Sequence, residues 1–121
     1  MTTYKGTAVE PSCMVDDPDV DDLPEVPSEL AREHPSVWEQ YNELGAACAD
    51  AGPIDGETRR LVKLALAIGA ESEGAVHSHV RRGLEEGVDP EALEHVALLS
   101  IPTLGFPQAM AARSWIGDET E

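Results

Sequence analysis

The stretch ESEGAVHSHVRRGL, residues 71–84, gathers acids, two histidines and two arginines within fourteen positions. Imidazoles exchange protons near neutral pH, guanidinium groups grip carboxylates, and mixed histidine and carboxylate sets can hold metals. Which chemistry is open to this stretch depends on the faces of its helix. At about 100° per residue, Ser72, Ala75 and His79 fall within roughly 60° of one another. They form a stripe of small residues with one imidazole on it, flanked by Val76 and Gly83. His77 lies about 200° away and shares its face with Glu73 and Arg81 at spacings of four.

Two ligands at i and i+2 of a helix diverge, so HSH does not chelate a metal by itself. A cation joining Glu73 to His77 would need His95 or a neighbouring subunit, and no spacing in the chain forms a metal motif. No metal is assigned. Glu73 and His77 are read either as contacts to a charged substrate or as an ordinary i,i+4 ion pair. His79, on the small-residue stripe, is either a packed core histidine or a functional one.

The elements that carry these residues follow from periodicity and punctuation. Ser28 is expected to cap a short turn through ELAREH, and Pro35 to open a helix on which Val37, Tyr41, Leu44, Cys48 and Ala51 recur at steps of four and three. AGPIDG is a turn, after which Asp55 caps a second helix with Leu61, Leu64, Ala65 and Ile68 on one face. Val62 and Leu66 widen that stripe, which predicts a helix buried on two sides. Ser72 caps the histidine helix, and Gly87 ends it. Asp89 and Pro90 start another, which Pro102 is expected to stop, and a last helix over LGFPQAMAARSWI carries Ala109, Met110, Arg113 and Ile116 along one side. No segment alternates with period two, so the fold class is all-α, a bundle of about five to six helices.

Three domain segments are expected: an acidic flexible arm over 1–27, containing VDDPDVDDLPEVP and Cys13, a helical domain over 28–117, and an acidic tail over 118–121. With five aromatics in all (Tyr4, Trp38, Tyr41, Phe106 and Trp115), the core is thin and self-association is the natural way to cover more apolar area. The 24 Asp plus Glu against 8 Lys plus Arg, a net charge of −16, argue against nucleic acid, whose phosphates would repel such a surface. The same balance, with lysine only at 5 and 63, fits a halophilic cytoplasm in which salt screens the self-repulsion. No apolar run is long enough to span a bilayer and no signal-peptide pattern opens the chain, so a soluble cytoplasmic protein without a membrane partner is expected.

The order of pieces in HPSVWEQYNELGAACADAGPIDGETRRLVKLALAIGA, then HVRRGLEEGVDPEALEHVALL, then GFPQAMAA resembles the carboxymuconolactone decarboxylase superfamily, which includes the alkylhydroperoxidase D-like proteins. The resemblance covers roughly residues 34–116. It implies an alkylhydroperoxidase D-like all-α fold assembled as a homo-oligomer, a trimer or hexamer. The peroxidase branch carries Cys-x-x-Cys-x-x-x-His, with a glutamate in the preceding helix. Laid on this chain, that pattern keeps only His79, puts Ser72 and Ala75 where the thiols stand, and puts Arg60 at the glutamate position. A peroxidase needs one thiolate to attack and a second thiol to resolve the product, which serine and alanine cannot supply. The decarboxylase branch, which does without that pair, is the better match.

That branch implies a small lyase, free of cofactors, acting by acid/base chemistry on a small carboxylated ring compound. His79 and Ser72 are then the candidate catalytic residues, with His79 as general acid or base. Arg60 and Arg82 are the candidate substrate-binding guanidinium groups, with Glu73 and His77 as further substrate contacts. The alternatives are a redox protein using other groups and a non-catalytic binding or assembly module that shares the fold.

Overall fold

The computed structural model describes residues 25–121, and among these every regular element is a helix. They are α1 (Glu25–Glu33), α2 (Pro35–Asp50), α3 (Gly56–Gly69), α4 (Glu73–Glu85), α5 (Pro90–Leu104) and α6 (Phe106–Thr120). The described chain divides between Pro53 and Ile54 into two units. Most of the arm expected over 1–27, Cys13 included, lies outside the described residues.

In the first unit α1 packs on α2. Helix α1 begins at Glu25, ahead of the expected start, so Ser28 lies inside it as a buried residue and is not its cap. Pro27 still falls in the first turn, where its missing N–H costs nothing. His34 separates the helices, and Pro35 opens α2 in the first helical position. On α2 the rings of Trp38 and Tyr41 stack with centroids 5.8 Å apart. The apolar stripe expected there exists, but Val37, Tyr41 and Leu44 are all more than half exposed in the single chain.

The second unit is built from α3 to α6. Each helix turns inward the residues that recur at steps of three and four: Arg60, Leu64, Ala67 and Ile68 on α3, Val76, Val80 and Gly83 on α4, Leu93, Ala97 and Ser100 on α5, and Ala109, Ala112 and Ile116 on α6. Helix α3 packs on α4 and α5, and α6 packs on the same two, around a core of Leu64, Ile68, Val76, Val80, Leu93 and Ile116. Small residues let the helices approach closely.

Several boundaries are set by local chemistry. Asp55 stands at the N-cap of α3 without a side-chain bond, whereas Asp89 caps α5 by accepting from the Glu91 N–H at 2.9 Å. Gly87 ends α4 at φ +89°, and the Val88 N–H closes back on the Gly83 carbonyl at 2.8 Å. Pro102 does not stop α5. One helical bond is lost there, but the helix runs on to Leu104 and breaks at Gly105, whose φ of +104° suits glycine. The Gln108 side-chain amide of α6 donates to the Ile68 carbonyl at 2.9 Å and so satisfies an end group of α3.

Three further expectations are corrected. Helix α3 is buried on one side only, with Val62 at 42% and Leu66 at 68% exposure, and Ala67 takes the inward place expected of Ala65. On α6 the inward line is Ala109, Ala112 and Ile116, while Arg113 faces outward and donates to Glu94 at 2.7 Å. Residues 118–120, expected as a tail, form the last turn of α6.

Leu93 in α5 and Asp89 at its N-cap contribute by different mechanisms. Leu93→Ala should lower the unfolding free energy by about 2–5 kcal/mol through the cavity it leaves, and Asp89→Ala by about 1 kcal/mol through the lost cap. Urea unfolding of both variants checks this, and a larger loss at Asp89 would contradict the assignment of the core.

Candidate functional site

Arg60 enters the second unit from the first turns of α3 and is only 3% exposed. A guanidinium is never deprotonated at ordinary pH, so its burial requires a counter-charge and acceptors for its N–H groups. Glu86, just past the end of α4, supplies both. Arg60 Nε donates to Glu86 Oε1 at 3.0 Å and Nη2 donates to Oε2 at 2.7 Å, a bidentate fork. The remaining terminal nitrogen, Nη1, donates to His79 Nδ1 at 2.8 Å.

Space for this arrangement comes from Gly83, one turn after His79. A Cβ there would lie 3.2 Å from Leu93 Cδ2 and 3.3 Å from Arg60 Cγ, so a side chain at this position would crowd the arginine stem. Gly83, at the edge of the small-residue stripe on α4, therefore makes room for the protein's own arginine.

The contact between Arg60 and His79 fixes the state of the imidazole. Arginine has no acceptor, so His79 Nδ1 must be the unprotonated nitrogen and the ring proton sits on Nε2. Burial, then the positive charges of Arg60, Lys63 and Arg82, hold the His79 pKa down from 6.5 to about 4, against a smaller opposing pull from Glu86. His79 is therefore neutral at pH 7.

The other expected residues are placed as follows. Ser72 is the N-cap of α4, its Oγ accepting from the Ala75 N–H at 3.3 Å. Arg60 was expected to grip a substrate carboxylate, but the carboxylate it grips is that of Glu86. Arg82 stands close enough to His79 to depress its pKa, as does Lys63, which the sequence did not single out. Glu73 and His77 are not brought to this site. They lie on another face of α4, where His77 Nε2 is 3.0 Å from Asp118 Oδ2 and 3.9 Å from Glu73 Oε2. Arg81 joins the same face through Glu119 at 3.4 Å. His95 is exposed on α5 and takes no part in that cluster. An open, mostly polar groove between the start of α5 and the end of α6 is lined by Pro90, Glu94, Arg113 and Asp118 among others, and neither His79 nor Arg60 lines it.

Glu86 could have been found from spacing, since it follows His79 by seven residues, two helical turns along the same face.

Stability carries the signature of the neutral imidazole. Between about pH 4 and 6.5 the unfolded chain binds a proton at this position that the folded chain does not, so the contribution of His79 is full above pH 6.5 and is lost as pH falls toward 4. An NMR titration of the His79 ring should give a midpoint near 4. Lys63→Gln should raise that midpoint and Glu86→Gln should lower it further. A wild-type midpoint near 6.5 would contradict the site as described.

A protein of Haemophilus influenzae (strain ATCC 51907 / DSM 11121 / KW20 / Rd), described as uncharacterized, is 35% identical over 51 residues, which span 42% of this chain and 45% of that protein. The matched stretch is thus less than half of that curated relative. No solved structure matches the chain significantly. The sequence does match the Carboxymuconolactone decarboxylase family over residues 35–118, which include α2 to α5, most of α6, Arg60, His79 and Glu86. The chain belongs to the carboxymuconolactone decarboxylase family.

Proposed function

We propose that the protein is a cofactor-free lyase that decarboxylates a small carboxylated ring compound, with His79 at the reacting centre and Arg82 drawing in the substrate carboxylate. The observation that carries this reading is the neutral His79 imidazole, oriented by Arg60 and holding its proton on Nε2. The family includes both decarboxylases and peroxidases, and the positions of the peroxidase thiols are Ser72 and Ala75 here. Cys48 on α2, the one cysteine among the described residues, is exposed.

In such a reaction the bond between the ring carbon and the carboxylate breaks, carbon dioxide leaves, and the electron pair passes into a conjugated carbonyl. That carbonyl is the electron sink, so no organic cofactor is needed. Charge develops on its oxygen, and a preoriented N–H aimed at that oxygen lowers the barrier. His79 Nε2–H is suited to this task, because a neutral imidazole donates without bringing a full charge into the ground state. With Nδ1 engaged by Arg60, it serves better as a donor to the developing anion than as a reservoir of a labile proton. The proton that finally reaches the ring carbon then comes from water.

Activity assays on a carboxylated muconolactone test the assignment. His79→Ala should lower kcat by about 100- to 1,000-fold, the usual loss for one such donor. His79→Gln should recover part of that loss, since an amide can accept from Arg60 and donate to the substrate. Turnover in both variants equal to wild type would overturn the role given to His79, and a wild type without turnover would leave the fold as a binding or assembly module.

The reading includes a homo-oligomer, supported by the apolar residues left open on α2 and α3, namely Val37, Tyr41, Leu44, Val62 and Leu66. Light scattering at molar salt should return a mass at least three times that of the chain. A monomer would contradict it.

A further inference from the structure

We propose that Glu73, His77 and Asp118 form a binding site for a divalent first-row metal ion, separate from the His79 site, that clasps the end of α6 to the start of α4. One ligand atom from each residue can be chosen such that all three lie within 4.8 Å of one another. His77 Nε2 is 3.0 Å from Asp118 Oδ2 and 3.9 Å from Glu73 Oε2. Tetrahedral zinc with bonds of about 2.0–2.2 Å holds its ligands about 3.4 Å apart, so the side chains need only small adjustments around an ion.

The local charge favours a dication. Three carboxylates, those of Glu73, Asp118 and Glu119, surround the imidazole, and Arg81 pairs with Glu119. Two carboxylates remain for a doubly charged ion. The imidazole distinguishes this cluster from the acid-rich surface elsewhere, because imidazole with two carboxylates selects zinc, cobalt or related ions over calcium and magnesium, which favour all-oxygen shells. On the other side of the ring, Glu119 Oε2 is 4.0 Å from Nδ1, the side from which carboxylates commonly orient metal-bound imidazoles. Asp118 also lines the open groove beside α5, which gives water access to the remaining coordination positions.

The sequence assigns no metal here and names only His95 or a neighbouring subunit as what could complete a set with Glu73 and His77. Asp118 takes that place because the last turn of α6 is helical and meets the start of α4. Glu73 and His77 reach the same ion because they are one helical turn apart.

The competing arrangement is a protonated His77 held by the same carboxylates with no metal. Full-length protein stripped with a chelator and desalted should be titrated with Co²⁺ and then Zn²⁺ in molar sodium chloride, which screens diffuse binding to acidic surface. The expected result is one ion per chain, a visible Co²⁺ absorption band that Zn²⁺ abolishes, and a rise in Tm with Zn²⁺ concentration. His77→Gln and Asp118→Asn should each weaken binding at least tenfold, whereas Glu94→Gln, in the neighbouring groove, should not. Circular dichroism confirms that each variant is folded, and Glu73→Gln provides a third test if either fails. The absence of saturable one-to-one binding, or binding unchanged by His77→Gln, would overturn the proposal.

Discussion

Burying the positive charge of Arg60 constrains everything around it. An unpaired guanidinium in a protein interior costs several kcal/mol, and breaking such a pair by removing one partner typically destabilises a fold by about 3–5 kcal/mol. Glu86 carries the opposite charge at 31% exposure, so the pair bridges the core and the surface. Its fork occupies two nitrogens of Arg60, and the third turns to His79. Gly83 is needed to admit the arginine stem, and Leu93 closes the space behind it. One buried cation thus links α3, α4 and α5.

The chemistry of His79 follows from that packing. Had a carboxylate stood at position 60, its negative charge would have raised the imidazole pKa and drawn a proton onto the facing nitrogen. With arginine there, the facing nitrogen is an acceptor, the far nitrogen is a donor, and the ring stays neutral. In a peroxidase of this superfamily the corresponding glutamate and cysteines would serve thiol chemistry. The arginine here instead leaves His79 neutral, with its proton on Nε2.

Much of this was legible in the sequence. The helices from Pro35 onward follow from apolar spacing and from caps such as Asp89, and the opposite facing of His79 and His77 follows from helical geometry alone. Legibility failed where residues at long separation meet. Arg60 was visible as a cation but not as a buried one, because its partner Glu86 is 26 residues away and resembled any acidic helix end. Asp118 was assigned to a tail because acidic residues near a terminus usually remain solvated. In the structure, α6 continues through them and places them opposite His77. Pro102 shows the reverse error, a local signal overridden when neighbouring turns hold the helix together. The apolar residues of α2 and α3 that remain exposed were read as inward-facing because periodicity marks an apolar stripe without saying whether anything covers it.

The central claim is the direction of the proton between Arg60 and His79. Long-range proton–nitrogen correlation spectra of the His79 ring at pH 7 measure it directly. The structure requires an unprotonated Nδ1 and a protonated Nε2. A proton on Nδ1, or on both nitrogens, would mean that Arg60 does not donate to the imidazole, and the account of the site would fail.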